Sequence, residues 1–268
     1  VHAAEIVRWA EALVVLSGPG MGADSGLPDL HDDRQFWRAY PPYERLGLRF
    51  VDVAHPEQFA RAPELAWGFY GHRQARCREA RPHHGYEILR RWTDGLAKPT
   101  AVATTSVDGL FLRAGFAREA VAELHGSIDH LQCLAPCCDA VWTAREPVPV
   151  DPATMRARAV PRCPACGGVA RPNVLMFGDP GWLSWRADGQ RERLEAFLDE
   201  RAGPGLAVLE LGASAAFPIL RHLSEELARH GATVVCVNAR EPGLAPPHVD
   251  LRTGPLAGLS AIEAALTA

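Results

Sequence analysis

Val14-Val15-Leu16-Ser17-Gly18-Pro19-Gly20-Met21-Gly22-Ala23-Asp24-Ser25-Gly26-Leu27-Pro28-Asp29 begins as an apolar run and breaks into a glycine-rich turn that ends in an acid. The run reads as a buried strand, and the turn lets the backbone approach something flat or anionic. Gly18, Gly20 and Ala23 fit the G-x-G-x-x-G/A spacing, in which small residues allow a tight turn, close approach to a pyrophosphate and packing of a helix on the strand. Turn chemistry without a ligand uses the same residues. The layout also departs from a dehydrogenase, because no second strand ending in an acid comes at the expected distance. Pro28-Asp29-Leu30-His31-Asp32-Asp33, a polar segment, occupies that place instead.

Elsewhere the chain has the make-up of an ordinary globular protein. Its 268 residues suffice for one large domain, or a large one with a small insertion, and 47% hydrophobic with 22% charged residues supports a packed core. A formal charge of −4 gives no reason to expect nucleic acid or an anionic membrane as partner. Apolar runs such as Ala12 to Leu16 are too short for a bilayer, and no secretory pattern is visible, so a cytoplasmic location is expected.

Ala3 to Leu13 has helical spacing and leads into the first strand. From 32 to 53 there is little periodicity but many aromatics and prolines, which predicts a packed loop able to move over a site. Glu57 to Glu79 reads as helix interrupted around Pro63, and His84 to Ala97 as another. Short strands are expected at Thr100 to Thr104, Ala120 to Leu124, Leu206 to Leu211 and Thr233 to Val237, with helices near Gln190 to Arg201, Pro218 to His230 and Leu256 to Leu266. Alternation in this order predicts an α/β fold with a Rossmann-like, doubly wound parallel sheet. Arg145 to Arg162 is the loosest segment.

Five of the seven cysteines fall between Cys133 and Cys166, which points to a metal site in a reducing compartment. Cys163-Pro164-Ala165-Cys166 is a zinc knuckle, since two thiolates two residues apart can turn onto one tetrahedral ion. The upstream pair is Cys133 with one of Cys137 and Cys138; Cys137 is the choice. A four-thiolate site is closed, so Zn2+ there would be structural. Isolated Cys77 and Cys236 read as small core residues.

In register, these pieces resemble the sirtuin family, the NAD-dependent protein deacylases, nearly end to end. Its G-A-G-x-S-A-E-S-G-I-P-D-F-R loop compares with Gly18 to His31, T-Q-N-I-D-G-L-H with Thr104 to Phe111, and E-L-H-G is intact as Glu123 to Gly126. R-P-x-V-x-F-G-E compares with Arg171 to Asp179, the late G-T-S with Gly212-Ala213-Ser214, and a strand-end asparagine with Asn238. The resemblance implies one catalytic unit over 1–268, with a large Rossmann-like part (about 1–31, 82–130, 171–268) and a small part from insertions at about 32–81 (helical) and 131–170 (zinc). It implies NAD binding by Gly18, Pro19, Gly20, Asp24, Pro28, Asp29, Leu30, His31, Thr105, Ser106, Asp108, Gly212, Ala213, Ser214 and Asn238.

Family chemistry breaks the nicotinamide glycosidic bond as the acyl oxygen attacks the ribose, after which a histidine serves as general base. His125 matches that histidine, and an imidazole can take and return a proton near working pH. Asp108 matches the aspartate that holds the nicotinamide carboxamide. Ser106 stands where the family has a catalytic asparagine and Thr105 where it has glutamine, so both lose reach and a bidentate amide. Leu30 replaces an aromatic and His31 an arginine. Leu175, Phe177 and Gly178 match the substrate side of the cleft. Tyr70 and Arg73, one helical turn apart, resemble the pair with which the desuccinylase and demalonylase group reads an acidic acyl chain; an arginine on a solvated face is the plain alternative. The expected function is NAD-dependent removal of acyl groups from lysine in a protein or peptide, releasing nicotinamide and O-acyl-ADP-ribose. ADP-ribosyl transfer, NAD hydrolysis, or ligand sensing with weak catalysis are the alternatives.

Overall fold

Six strands form a wholly parallel sheet, in the spatial order Val249–Leu251, Thr233–Val237, Leu206–Leu211, Ala12–Ser17, Thr100–Thr104, Val121–Glu123. The structure is a computed structural model, which describes every residue except positions 29, 31, 215–217 and 242. In chain order, α1 (His2–Trp9) leads into β1 (Ala12–Ser17), and the glycine stretch winds as 3₁₀ turns over Pro19–Ser25. Helices α2 (Asp33–Ala39), α3 (Pro41–Arg45), α4 (Phe50–Val53), α5 (Pro56–Arg61), α6 (Pro63–Glu79) and α7 (His84–Gly95) come after it. Next come β2 (Thr100–Thr104), α8 (Leu110–Arg113), β3 (Val121–Glu123), β4 (Gly126–Cys133), β5 (Val141–Thr143), β6 (Val150–Asp151), β7 (Arg156–Ala157) and β8 (Ala170–Val174). The chain closes with α9 (Trp185–Arg201), β9 (Leu206–Leu211), α10 (Ile219–Arg229), β10 (Thr233–Val237), β11 (Val249–Leu251) and α11 (Pro255–Thr267).

Both faces of the sheet are covered, which is why its central strands are apolar at nearly every position. In β1, Leu13 and Val15 enter a core shared with α1, α7 and α11, while Ala12, Val14 and Leu16 enter a second under α9 and α10. The helix expected to reach Leu13 stops at Trp9, because Ala12 and Leu13 already pair with Leu206 and Thr100 in the sheet. The helix expected near Gln190 starts earlier, at Trp185.

A third core lies beside the sheet. The segment 32–53, expected as a mobile loop, is three short helices whose Phe36, Tyr40 and Tyr43 are buried against Phe69 of α6. Helices of seven residues or fewer have too few turns to show a period. Segment 145–162, expected to be loose, carries the hairpin β6–β7 docked on α6: a Cβ at Gly68 would stand 1.8 Å from the Met155 carbonyl. β4 pairs antiparallel with β5 and β8, bringing the cysteine segments together. No helix among the described residues is long and apolar enough to cross a membrane.

Candidate active site

Parallel strands present all their carboxyl ends on one edge, where such sheets build sites. Here β1 delivers Gly18, β2 Thr105, β9 Gly212 and β10 Asn238, while the turn after β3 delivers His125. A cavity of about 630 Å³ opens at this edge. Pro19, Gly20, Asp24, Pro28, Leu30, Thr105, His125, Gly212, Ala213, Ser214 and Asn238 line it, as do Tyr70, Arg73, Leu175, Phe177 and Gly178. Gly18, Ser106 and Asp108 stand behind the lining, and Asp29 and His31 fall outside the described residues.

The glycine loops are locked backbone to backbone. Gly18 N–H donates to the Leu211 carbonyl at 2.9 Å and Gly20 N–H to that of Gly212 at 3.1 Å. Gly212 itself has φ +56, and a Cβ there would lie 2.7 Å from Met21 N. Only glycine meets both demands. Two predicted cofactor residues have their side chains engaged in holding loops: Asp24 Oδ2 accepts the N–H of Leu256 in the first turn of α11 at 3.1 Å. Asn238 Nδ2 donates to the Ala213 carbonyl at 2.7 Å, and its Oδ1 accepts from the backbone N–H of Arg240 and Glu241 at 3.0 and 3.1 Å.

Asp108 is buried beneath the glycine loop. Its Oδ1 accepts the Leu110 N–H at 2.8 Å and its Oδ2 accepts the Ser106 hydroxyl at 2.5 Å. His125 is half-buried, and its carbonyl accepts the Leu175 N–H at 3.0 Å, joining the β3 end to the segment after β8. Burial lowers the His125 pKa from its ordinary value, the Arg191 cation lowers it further, and a hydrogen bond to the Thr105 backbone opposes them. The imidazole is therefore neutral at neutral pH.

On the other wall, Tyr70 is buried in α6, and burial raises its pKa to about 12, so its phenol stays protonated. The Arg73 guanidinium lies 5.9 Å from the Phe69 ring and, among the described residues, has no ion-pair partner. The segment between β8 and α9 is pinned by a wholly buried pair in which Arg171 grips both Asp179 oxygens and also donates to the Val174 carbonyl at 2.9 Å. Sequence reasoning missed the cavity residues Phe50, Val107, Met176, Asp179, Arg240 and Glu241. Asp179 and Met176 sit inside a quoted motif; Phe50 carried no signal, since only folding brings it here.

At the far end of β4, the thiols of Cys133, Cys137, Cys163 and Cys166 lie within 4.8 Å of one another. Cys133 Sγ is 3.7 Å from Cys166 Sγ, and Cys137 Sγ is 3.6 Å from Cys163 Sγ. Zinc–thiolate bonds of ~2.3 Å in a tetrahedron need sulfurs about 3.8 Å apart, so the four fit a structural Zn2+. Cys138 lies outside the four, 3.8 Å from Cys137.

A profile of the Sir2 family matches residues 18–188. An NAD-dependent protein deacylase of Thermococcus kodakarensis is 31% identical over 247 residues, 91% of this chain and 86% of the relative. NAD-dependent protein deacylase 1 of Pseudomonas aeruginosa is 31% identical over 252 residues, 94% and 92% of the two chains. A solved Sir2 homologue–NAD complex superposes with a TM-score of 0.78 at 23% identity, over 99% of this chain and 93% of that one. The structure of Sir2Tm bound to a propionylated peptide superposes with a TM-score of 0.69 at 19% identity, over 98% and 97%.

Proposed function

This chain belongs to the Sir2 family, and we propose that it is an NAD-dependent protein-lysine deacylase acting on acylated protein or peptide in the cytoplasm. The observation that carries the reading is the meeting of His125 with the glycine loop and the strand-end residues Gly212, Ser214 and Asn238 around one cavity. NAD, when bound, supplies an ADP-ribosyl group with nicotinamide as leaving group. The glycine loop, packed backbone to backbone on Gly212 and Ala213 at the cavity, would take the pyrophosphate. His125, neutral and at the cavity wall, would act as the general base, accepting a proton from a ribose hydroxyl of bound NAD. Leu30, Met176 and Phe177 keep water from the reacting atoms. Ser106 is turned onto Asp108, so its part is to steady that carboxylate, which would hold the nicotinamide carboxamide. A zinc ion on the four thiolates would take no part in the chemistry, because such a site is closed, and would hold the sheet of β4, β5 and β8 to its loops.

Arg73 supports the finer reading, a preference for acidic acyl groups. A guanidinium at the cavity, beside a protonated phenol and without a carboxylate partner among the described residues, suits an acyl chain that ends in one.

Incubation with NAD and a panel of acetyl-, propionyl- and succinyl-lysine peptides tests both levels. Nicotinamide and O-acyl-ADP-ribose, seen by mass spectrometry, are expected, with succinyl-lysine turned over fastest. No product with any peptide, in protein that binds NAD, would overturn the deacylase reading. Equal turnover of all three would remove the acidic preference. Nicotinamide release without any peptide would instead mark an NAD hydrolase.

A further inference from the structure

Alternate residues of β9 face the α9–α10 side: Leu206, Val208, then Glu210. Glu210 is wholly buried. Its carboxylate is surrounded: Arg221 of α10 donates through Nε to both oxygens at 3.1 Å and through Nη2 to Oε1 at 2.5 Å. Ser224, one turn on, donates to Oε2 at 2.6 Å, and Cys236, the cross-strand neighbour on β10, lies with Sγ 3.5 Å from Oε1. Burial raises the Cys236 pKa to about 12, so its thiol remains a donor. One carboxylate therefore ties β9, β10 and α10 together.

Well-packed apolar residues generally stabilise such a position as well as a buried ion pair does, so stability alone does not account for the charges. Their location is informative. Two residues beyond Glu210, β9 gives way to Gly212-Ala213-Ser214; two beyond Cys236 stands Asn238, which holds the Ala213 carbonyl. Glu210 is thus one layer beneath both strand ends that line the cavity, and its partner Arg221 lies in the first turn of the helix that comes after Ser214.

We propose that Glu210, through Arg221, is a positioning residue for the cofactor loops: it fixes the attitude of α10 and of the β9 and β10 ends, and with them the seat of the adenosine-diphosphate half of NAD. The inference rests on NAD being the cofactor of this cavity. Fork geometry matters here, because a guanidinium spanning both carboxylate oxygens fixes direction as well as distance.

The test combines calorimetric titration of ADP-ribose with steady-state kinetics and thermal melts. The double variant Glu210→Leu/Arg221→Met, free of buried charge, is expected to melt at or above the wild-type temperature. Its ADP-ribose Kd and KM for NAD should nevertheless rise about tenfold, the scale of a slight misplacement of binding groups, with peptide KM unchanged. Wild-type affinity in the folded double variant overturns the proposal. Should that variant fail to fold, Arg221→Lys keeps the charge and loses the fork; several-fold weaker ADP-ribose binding is expected, and unchanged binding overturns the role. Absence of ADP-ribose binding by the wild-type chain would instead overturn the cofactor reading.

Discussion

Ser106 Oγ donates a 2.5 Å hydrogen bond to Oδ2 of Asp108, whose other oxygen is taken by the Leu110 N–H. The serine, which stands where the family has a catalytic asparagine, is the second clamp on a buried carboxylate. Ser106→Ala removes that clamp. It should lower stability by about 1.5–3 kcal/mol, as for a hydrogen bond to a charged group, and lower kcat by about tenfold through a looser Asp108. Urea unfolding and steady-state kinetics check the two effects; unchanged kcat would show that Leu110 alone holds the carboxylate.

His125→Ala should reduce kcat by roughly 10²–10⁴, the usual worth of a positioned general base, with ADP-ribose binding retained. Burial first and Arg191 second depress the imidazole pKa below its ordinary 6.5. The imidazole is therefore already neutral at pH 7, and if it is the general base kcat/KM should be flat above that pH and fall only on the acid side. Arg191→Gln removes one depressing charge, so the acid limb should move up toward 6.5. A limb that stays put in a pH–rate series would exclude Arg191 as a contributor.

How much of the fold and the site is legible in the sequence depends on the range of each contact. β1 and β9 announce themselves because strands covered on both faces are nearly unbroken apolar runs ending in small residues. The zinc cysteines are legible from spacing, since pairs close in sequence can share an ion. The segment 33–53 is opaque, because Phe36, Tyr40 and Tyr43 pack against Phe69, a partner more than twenty residues away. β4 is hidden by the irregularity between Ser127 and Leu131, which breaks alternation. Nor can local sequence show that Asp24 holds α11, since Leu256 lies 232 residues on.

Acid should destabilise the fold through His130. Burial chiefly, and the Arg186 cation next, hold its pKa down to about 4, against an ordinary 6.5. Between these values the unfolded chain binds more protons than the folded one, so stability is lost as pH falls through that window. Urea midpoints measured from pH 7 to 4 should fall, and His130→Gln should flatten the curve. An identical slope in the variant would assign the effect to other titrating groups.

Removing zinc should loosen the β4–β8 sheet without touching the strand ends that line the cavity. Cys163→Ser breaks the four-thiolate set and is expected to lose metal and several degrees of melting temperature. Cys138→Ser is expected to keep both, because its thiol stands outside the set. Metal content by mass spectrometry, alongside melts, separates the two; metal loss in Cys138→Ser would make Cys138 a ligand in place of Cys137.

Gly18 offers the sharpest test of the interlocked loops. Its φ of −92 suits any residue, so only space is at issue. A Cβ there would lie 2.3 Å from the Gly212 carbonyl oxygen and 2.6 Å from Ala213 Cα, both backbone atoms that cannot rotate away. Gly18→Ala must push the loops apart, at a cost of about 1–3 kcal/mol typical of overpacking, and ADP-ribose affinity should fall with it. Gly95, at the end of α7, has nothing within 4 Å of a Cβ. Gly95→Ala should be neutral or stabilise by up to ~1 kcal/mol, leaving binding intact. If Gly18→Ala bound ADP-ribose as tightly as Gly95→Ala, the contact between the loops would not be what shapes the cavity.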